Sequence, residues 1–129
     1  MRHTVKTLLS VTAVLIMTAA TMAQSNDNRP SDRPQVAGIE GVFLMPGLQE
    51  QEGEAVVFDK PGGRIIEAQA QGMVTARAVD VWYAQSLKAN GWKRSKLSGQ
   101  YFKDGEMLRL AIQENGTGVT LRFSLAPRD

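Results

Sequence analysis

Residues 101–125 read YFKDGEMLRLAIQENGTGVTLRFSL, and two short turn signals divide this stretch into three segments. The dipeptides Asp104-Gly105 and Asn115-Gly116 are typical of the two-residue turns that join antiparallel strands. Apolar and polar residues alternate on both sides of each turn, which indicates strands with one buried face. The stretch therefore predicts three consecutive antiparallel strands.

The same two turns predict how these strands align. The first turn places Tyr101 opposite Leu108 and Phe102 opposite Met107. If Asn115-Gly116 forms the second turn, the opposed pairs are Ile112 with Val119, Leu110 with Leu121, and Leu108 with Phe123. Both turns put the same apolar set on one face, and a slip of one residue would expose that whole set to water.

Upstream of these strands, the sequence predicts one helix over residues 76–89. Thr75 suits the N-cap position, and Asn90-Gly91 suits a left-handed stop. The apolar residues of this segment recur at helical spacing and form one stripe, which consists of Val79, Trp82, Tyr83 and Leu87. We expect Trp82→Ala to be the most destabilising single change in the chain, at roughly 3 to 5 kcal/mol if Trp82 is in the core.

The remaining regular segments complete an α+β fold. The segments 55–58 and 64–71 flank the turn residues Asp59–Gly63, which predicts a hairpin. Residues 92–97 supply another strand, after which Ser98-Gly99 is either a turn or a bulge. We expect a single twisted antiparallel sheet in the order β-β-α-β-β-β, with or without one further strand, and one helix packed on its apolar face.

The N-terminus has the order of a secretory signal peptide. Arg2 and Lys6 precede an apolar run over residues 8–20, and small residues lead to an expected cleavage after Ala23. The run is shorter than the roughly 20 residues that cross a membrane as a helix. We therefore expect a periplasmic product with no stable membrane span after processing.

The expected mature chain divides into a leader and one domain. Residues 24–35 read QSNDNRPSDRPQ and contain too little apolar surface to fold, so they predict a disordered leader. Residues 36–129 form the single α+β domain. The chain has no cysteine, which excludes disulfide frameworks and thiol redox chemistry.

Composition also excludes the common catalytic constellations. His3 is the one histidine, and it lies in the segment that processing removes. The mature chain therefore lacks the base of Ser-His-Asp and Cys-His catalysis and the usual ligands of zinc. It also has equal numbers of basic and acidic side chains once Arg2 and Lys6 are removed, so it lacks the basic footprint of a nucleic-acid-binding domain. We expect no cofactor, no metal and no nucleic-acid partner.

Two apolar groups are candidates for partner binding. The first is the segment 42–48, because contiguous apolar surface on a small domain marks an interaction site when it is exposed. Burial in the core is the alternative reading of this segment. The second is an apolar spot on the sheet face opposite the helix. The candidate residues are Val42, Phe43, Leu44, Met45 and Leu48 in the first group and Phe102 and Met107 in the second.

Carboxylates offer the remaining chemistry. Residues 49–54, QEQEGE, predict an acidic surface loop, and their spacing lacks the order of a dedicated calcium loop. A hydrolase with paired carboxylates would need two acids facing one cleft, and Asp59, Glu67 and Asp80 are the candidates near the predicted core.

One pattern resembles a known group of proteins. Val79, Trp82-Tyr83, Leu87 and Gly91-Trp92 form V-x-x-W-Y-x-x-x-L-x-x-x-G-W, which is similar to a pattern in small exported proteobacterial proteins. The resemblance covers roughly residues 55–125. Its elements are packing and turn residues, so it implies a fold and export, and it carries over no catalytic residue.

These observations rank three classes of function. The first is a non-catalytic periplasmic domain that binds another protein of the cell envelope, in an oligomeric state that the sequence leaves open. The alternative is a small-molecule or lipid carrier in which the helix and sheet enclose a pocket. A carboxylate-based hydrolase ranks third.

Overall fold

Seven strands and one helix follow one another in a computed structural model of the protein, which describes residues 33–128. The elements are β1 (Leu48–Glu50), β2 (Val56–Lys60), β3 (Gly63–Gly72), α1 (Ala76–Ala89), β4 (Lys93–Arg94), β5 (Gln100–Lys103), β6 (Glu106–Asn115) and β7 (Gly118–Pro127). The expected signal peptide, residues 1–23, and the leader up to residue 32 lie outside the described residues.

All strands belong to one antiparallel sheet in the order β1-β3-β7-β6-β5-β4, and β2 also pairs with β3. The α+β class with one sheet and one helix is therefore confirmed. The expected strand order differs in one detail. A short strand, β1, precedes the predicted hairpin and includes the first two residues of the predicted acidic loop. After the helix the expectation allowed three or four strands, and four are present, because β4 is a separate strand and Ser98-Gly99 forms a turn.

The alignment of the first hairpin is confirmed, and that of the second is shifted. Tyr101 lies opposite Leu108 as expected. In the second hairpin Asn115 pairs with Gly118, so the turn is Gly116-Thr117 and every opposed pair moves by two residues. The observed pairs are Leu108 with Leu125, Leu110 with Phe123, and Ile112 with Leu121.

The shift has a local cause. Gly116 has a φ of 59°, and a type II′ turn requires positive φ at its first central position, which glycine adopts without strain. Because the shift is even, each side chain stays on the face that the sequence predicted. Leu108, Leu110, Leu121 and Phe123 are buried, whereas Arg109, Gln113 and Arg122 lie on the opposite face and are exposed. We call that opposite face the open face.

The helix begins and ends as predicted. The Thr75 hydroxyl accepts a hydrogen bond from the Ala78 N–H at 3.1 Å. At the other end Gly91 has a φ of 86°, and the Trp92 N–H donates to the Leu87 carbonyl at 2.9 Å. This is the geometry of a Schellman stop.

The buried stripe of the helix is narrower than predicted. Val79, Tyr83 and Leu87 are fully buried, but Trp82 is only partly buried and packs at the margin of the core. The expectation that Trp82→Ala is the most destabilising change depended on Trp82 being in the core, and this condition is not met. Tyr83 takes this place, and its ring meets the buried Phe123 ring edge-on with centroids 5.6 Å apart.

The irregular segment 33–47, which we call the N-terminal segment, completes the core on the helix-covered face. Val36, Ile39, Val42 and Leu44 are buried in the same cluster as the sheet residues. Backbone hydrogen bonds hold this segment together, since the Val36 N–H donates to the Val42 carbonyl at 2.8 Å. Contacts begin before Val36, because the Pro34 carbonyl accepts from the Leu44 N–H at 2.8 Å. No helix within residues 33–128 is long and apolar enough to cross a membrane.

Candidate interaction surfaces

The segment 42–48 is mostly part of the core. Val42, Leu44 and Leu48 are buried, which decides between burial and exposure for these three and makes them unavailable to a partner in this fold. Phe43 and Met45 are half-buried: Phe43 lines a surface groove, whereas Met45 packs against the core. The physical reason is alternation: Gln35 forms a β-bridge with Phe43, and this extended stretch turns every second side chain inward.

The Tyr83 hydroxyl fastens this segment to the helix. It donates a hydrogen bond to the Phe43 carbonyl at 2.9 Å and accepts one from the Met45 N–H at 3.1 Å. Burial raises the pKa of this hydroxyl above its ordinary value, and the hydrogen bond from Met45 opposes this only in part. Burial also raises the pKa of Tyr101. Both phenols are therefore neutral structural groups.

Stability is expected to fall as the pH rises above about 10, where an unperturbed tyrosine loses its proton. In the native state Tyr83 and Tyr101 keep their protons to higher pH. The native state then binds more protons than the unfolded chain, and each tyrosine removes about 1.4 kcal/mol of unfolding free energy per pH unit until its native pKa is reached. Urea unfolding at a series of pH values measures this slope.

The variant Tyr83→Phe is the control for the alkaline slope. It removes the tyrosine with the larger rise in pKa, so the slope should fall to about half that of the unaltered chain or less. An unchanged slope in Tyr83→Phe would contradict the role of this hydroxyl.

The second candidate spot, Phe102 and Met107, lies on the open face as expected, and the two residues oppose each other. Both are half-buried. The Arg128 guanidinium covers the Phe102 ring, with its carbon 4.4 Å from the ring centroid. The Gln100 amide lies 2.7 Å from the Met107 sulfur. This spot is therefore partly covered by its own chain.

The carboxylates are spread over the molecule. Glu50 accepts from the Ala37 N–H at 3.1 Å and so holds the N-terminal segment. Glu67 accepts from the Ser124 hydroxyl on the open face at 2.8 Å, whereas Asp80 lies on the helix that covers the other face and contacts Arg94 at 3.5 Å. Asp59 lies near the end of β2. Asp59, Glu67 and Asp80 therefore do not form the pair that a hydrolase requires.

The side chains that could bind a metal ion are also not grouped. Within residues 33–128 no group of three or more His, Cys, Asp or Glu side chains is arranged to hold a metal ion.

The most exposed apolar element is one that the sequence did not single out. All five residues of β2 are exposed, and the exposed fractions are 40% for Val56, 54% for Val57 and 56% for Phe58. β2 pairs with the first half of β3, and β1 pairs with the last three residues of β3 on the same side. The outer side of β2 is thus an edge of the sheet. We call Val56, Val57 and Phe58, with the outward backbone groups of β2, the β2 edge.

A surface groove of about 710 Å³ lies beside the helix. Trp82 and Phe43 contribute its aromatic walls, and Arg33 lies over the Trp82 ring at 5.9 Å from the centroid. Gln85, Ser86 and Asn90 add polar groups. The space between α1 and the sheet is different, since Tyr83, Leu87 and Phe123 fill it.

Comparison with protein-family models, with curated proteins and with solved structures gave no match to this chain.

Proposed function

We propose that the processed chain is a non-catalytic protein-interaction domain of the bacterial cell envelope, which binds another envelope protein by adding a strand at the β2 edge. The signal-like N-terminus and the similarity to small exported proteobacterial proteins support export to the periplasm. The exposure of Val56, Val57 and Phe58 on an edge strand is the observation that carries the proposal.

Strand addition fits the chemistry of this edge. An edge strand presents unpaired N–H and C=O groups that can pair with another chain. In such complexes the backbone hydrogen bonds give affinity, and the alternating side chains give specificity. β2 offers both, because its apolar side chains project to the two faces of the sheet, and its outward backbone groups pair with no other strand within residues 33–128. Natural proteins more often protect such an edge with charge or cover it.

Site-specific photo-crosslinking in the periplasm tests this function. A photoreactive amino acid at position 57 lies on the β2 edge, and the same amino acid at position 81 is the matched control. Val81 is a comparably exposed valine, at 47%, and it lies on the helix far along the chain from β2. We expect a defined protein adduct from position 57 and none from position 81. Identical products at both positions, or no adduct at position 57, would count against the proposal.

A second candidate is a small-molecule carrier, and the groove beside Trp82 and Phe43 is the observation that favours it. It ranks below the first because packed side chains fill the space between helix and sheet, where a carrier pocket was expected. Native mass spectrometry of the purified protein separates the two: a co-purifying ligand that is lost in Trp82→Ala would favour the carrier.

A further inference from the structure

We propose that the envelope protein bound at the β2 edge is a second copy of this chain, so that two sheets join across a two-fold axis into one continuous sheet. This inference rests on the proposed function, because it names the partner of the same edge. It is carried by the sequence of charges and apolar residues along β2 and the loop before it.

The symmetry of such a dimer restricts how the strands align. Closed two-fold dimers are the commonest homo-oligomers, and their contact is made by the same patch on both copies. A two-fold axis perpendicular to the sheet runs the two β2 strands antiparallel and keeps both helix-covered faces on the same side. Opposed residues must then lie on the same face, so the axis passes midway between one residue and its own copy, which we call the centre of the alignment. The exposed apolar residues allow three centres, which are Val56, Val57 and Phe58.

The side chains favour the centre at Val57. In that alignment Val56 opposes the partner's Phe58, Glu54 opposes the partner's Lys60, and Ala55 opposes the partner's Asp59. By symmetry each of these pairs occurs twice, while Val57 meets its own copy at the axis. The large apolar side chains therefore face one another, and an acidic side chain faces a basic one at each end. Asp59 faces only the methyl group of Ala55, which is too small to cover the carboxylate. Cross-strand pairs of both kinds stabilise a sheet.

The two other centres place charge against the large apolar side chains of β2. A centre at Val56 sets Glu54 opposite the partner's Phe58. A centre at Phe58 sets Lys60 opposite the partner's Val56, and Val57 opposite the partner's Asp59. Burying a carboxylate or an ammonium group against an apolar side chain carries a desolvation cost that no partner charge offsets.

The neighbouring strand extends the same apolar surface. Ile65 on β3 pairs with Phe58 and is only half-buried in a single copy. In the dimer, Ile65, Phe58 and Val56 of each copy line the join on the open face. The mature chain has equal numbers of acidic and basic side chains, so net charge does not drive two copies apart.

The first test uses the residue on the axis. Sedimentation equilibrium of the mature chain over a wide range of concentration gives the dissociation constant of the dimer. Val57→Lys brings two ammonium groups face to face, and we expect it to raise this constant about a hundredfold. Val81→Lys makes the same chemical change at a valine of similar exposure on the helix, and it should leave the constant unchanged.

The second test uses the charges at the ends. Glu54 lies just before β2 and lines the same surface pocket as Val56, the first residue of the strand. Lys60 ends the strand, roughly 13 Å from Val56, so the two charges lie at opposite ends of the β2 edge within one copy. We expect Glu54→Lys and Lys60→Glu each to weaken the dimer about tenfold, because each change turns both ion pairs into repulsions. The double variant restores opposite charges and should return to within about threefold of the unaltered chain.

The outcomes separate this inference from the proposed function. A chain that stays monomeric at every concentration, an equal effect of Val57→Lys and Val81→Lys, or a double variant that is not restored would each overturn self-pairing centred on Val57. If the chain is monomeric while position 57, and not position 81, crosslinks to a different protein, the proposed function stands and self-pairing fails. If position 57 crosslinks to nothing, both fail.

Discussion

Phe123→Ala is expected to destabilise the domain by about 3 to 5 kcal/mol, the cost of emptying a fully packed aromatic site. Phe123 is fully buried on the central strand β7, between Leu110 on β6 and Ala68 on β3. Its ring also meets Tyr83 of the helix edge-on. The cavity would open where sheet and helix meet, so neither layer can relax alone to fill it. Urea unfolding, with a lower midpoint at an unchanged slope, measures the loss.

Phe58→Ala is the matched control for this prediction. It removes the same side chain from an exposed edge, where Phe58 is 56% accessible. Measured in dilute solution, it should change the free energy of unfolding by no more than about 0.5 kcal/mol. Equal losses for the two variants would show that Phe123 does not lie at the centre of the core.

The helix illustrates what the sequence predicts well and where it fails. Thr75 and the Asn90-Gly91 pair act locally, and both ends of α1 lie where they predict. The burial of individual residues in the apolar stripe is predicted less well, because the position of the sheet determines which of them are fully covered. Seen down the axis, Tyr83 and Leu87 lie to one side of Val79, whereas Trp82 lies about 60° to the other side. The sheet meets the first side, and Trp82 therefore lies at the margin.

The second hairpin shows the same division between local and non-local information. The alternation of β6 and β7 correctly assigned each side chain to a face. The turn itself was misplaced by one residue, because Asn115-Gly116 and Gly116-Thr117 both satisfy hairpin chemistry. Periodicity of two cannot distinguish alignments that differ by two residues. The faces were therefore predictable, and the opposed pairs were not.

The β2 edge could not have been found from the sequence alone. The hairpin of β2 and β3 was predicted from its turn, but the exposure of β2 depends on what lies beyond it. The preceding strand β1 does not cover β2, because it pairs with the far end of β3 instead. The sequence of β1, Leu-Gln-Glu, gives almost no strand signal, so this pairing could not be predicted. Conversely, the sequence of the apolar run 42–48 was compatible with burial and with exposure, and in the structure its alternate residues complete the core.

Gly72→Ala is expected to cost about 3 kcal/mol or more, because the new methyl group has no room. A Cβ atom on Gly72 would lie 2.0 Å from the Gly47 carbonyl oxygen and 3.1 Å from the Leu48 side chain. The clashing atom belongs to the backbone that leads into β1, and Leu48 pairs directly with Gly72. Relief of the clash would have to move β1 away from β3. We therefore expect amide exchange in β1 to rise together with the loss of unfolding free energy.

Gly62→Ala makes the same change in the β2–β3 turn and separates crowding from the loss of a glycine. No atom lies within 4 Å of a Cβ built on Gly62. Alanine there should be neutral or stabilising by up to about 1 kcal/mol, because it restricts the unfolded chain without a clash. A similar loss in both variants would mean that glycine flexibility matters at these sites. A loss in Gly72→Ala alone, with faster exchange in β1, would show that the close approach of Gly47 to Gly72 holds β1 on the sheet.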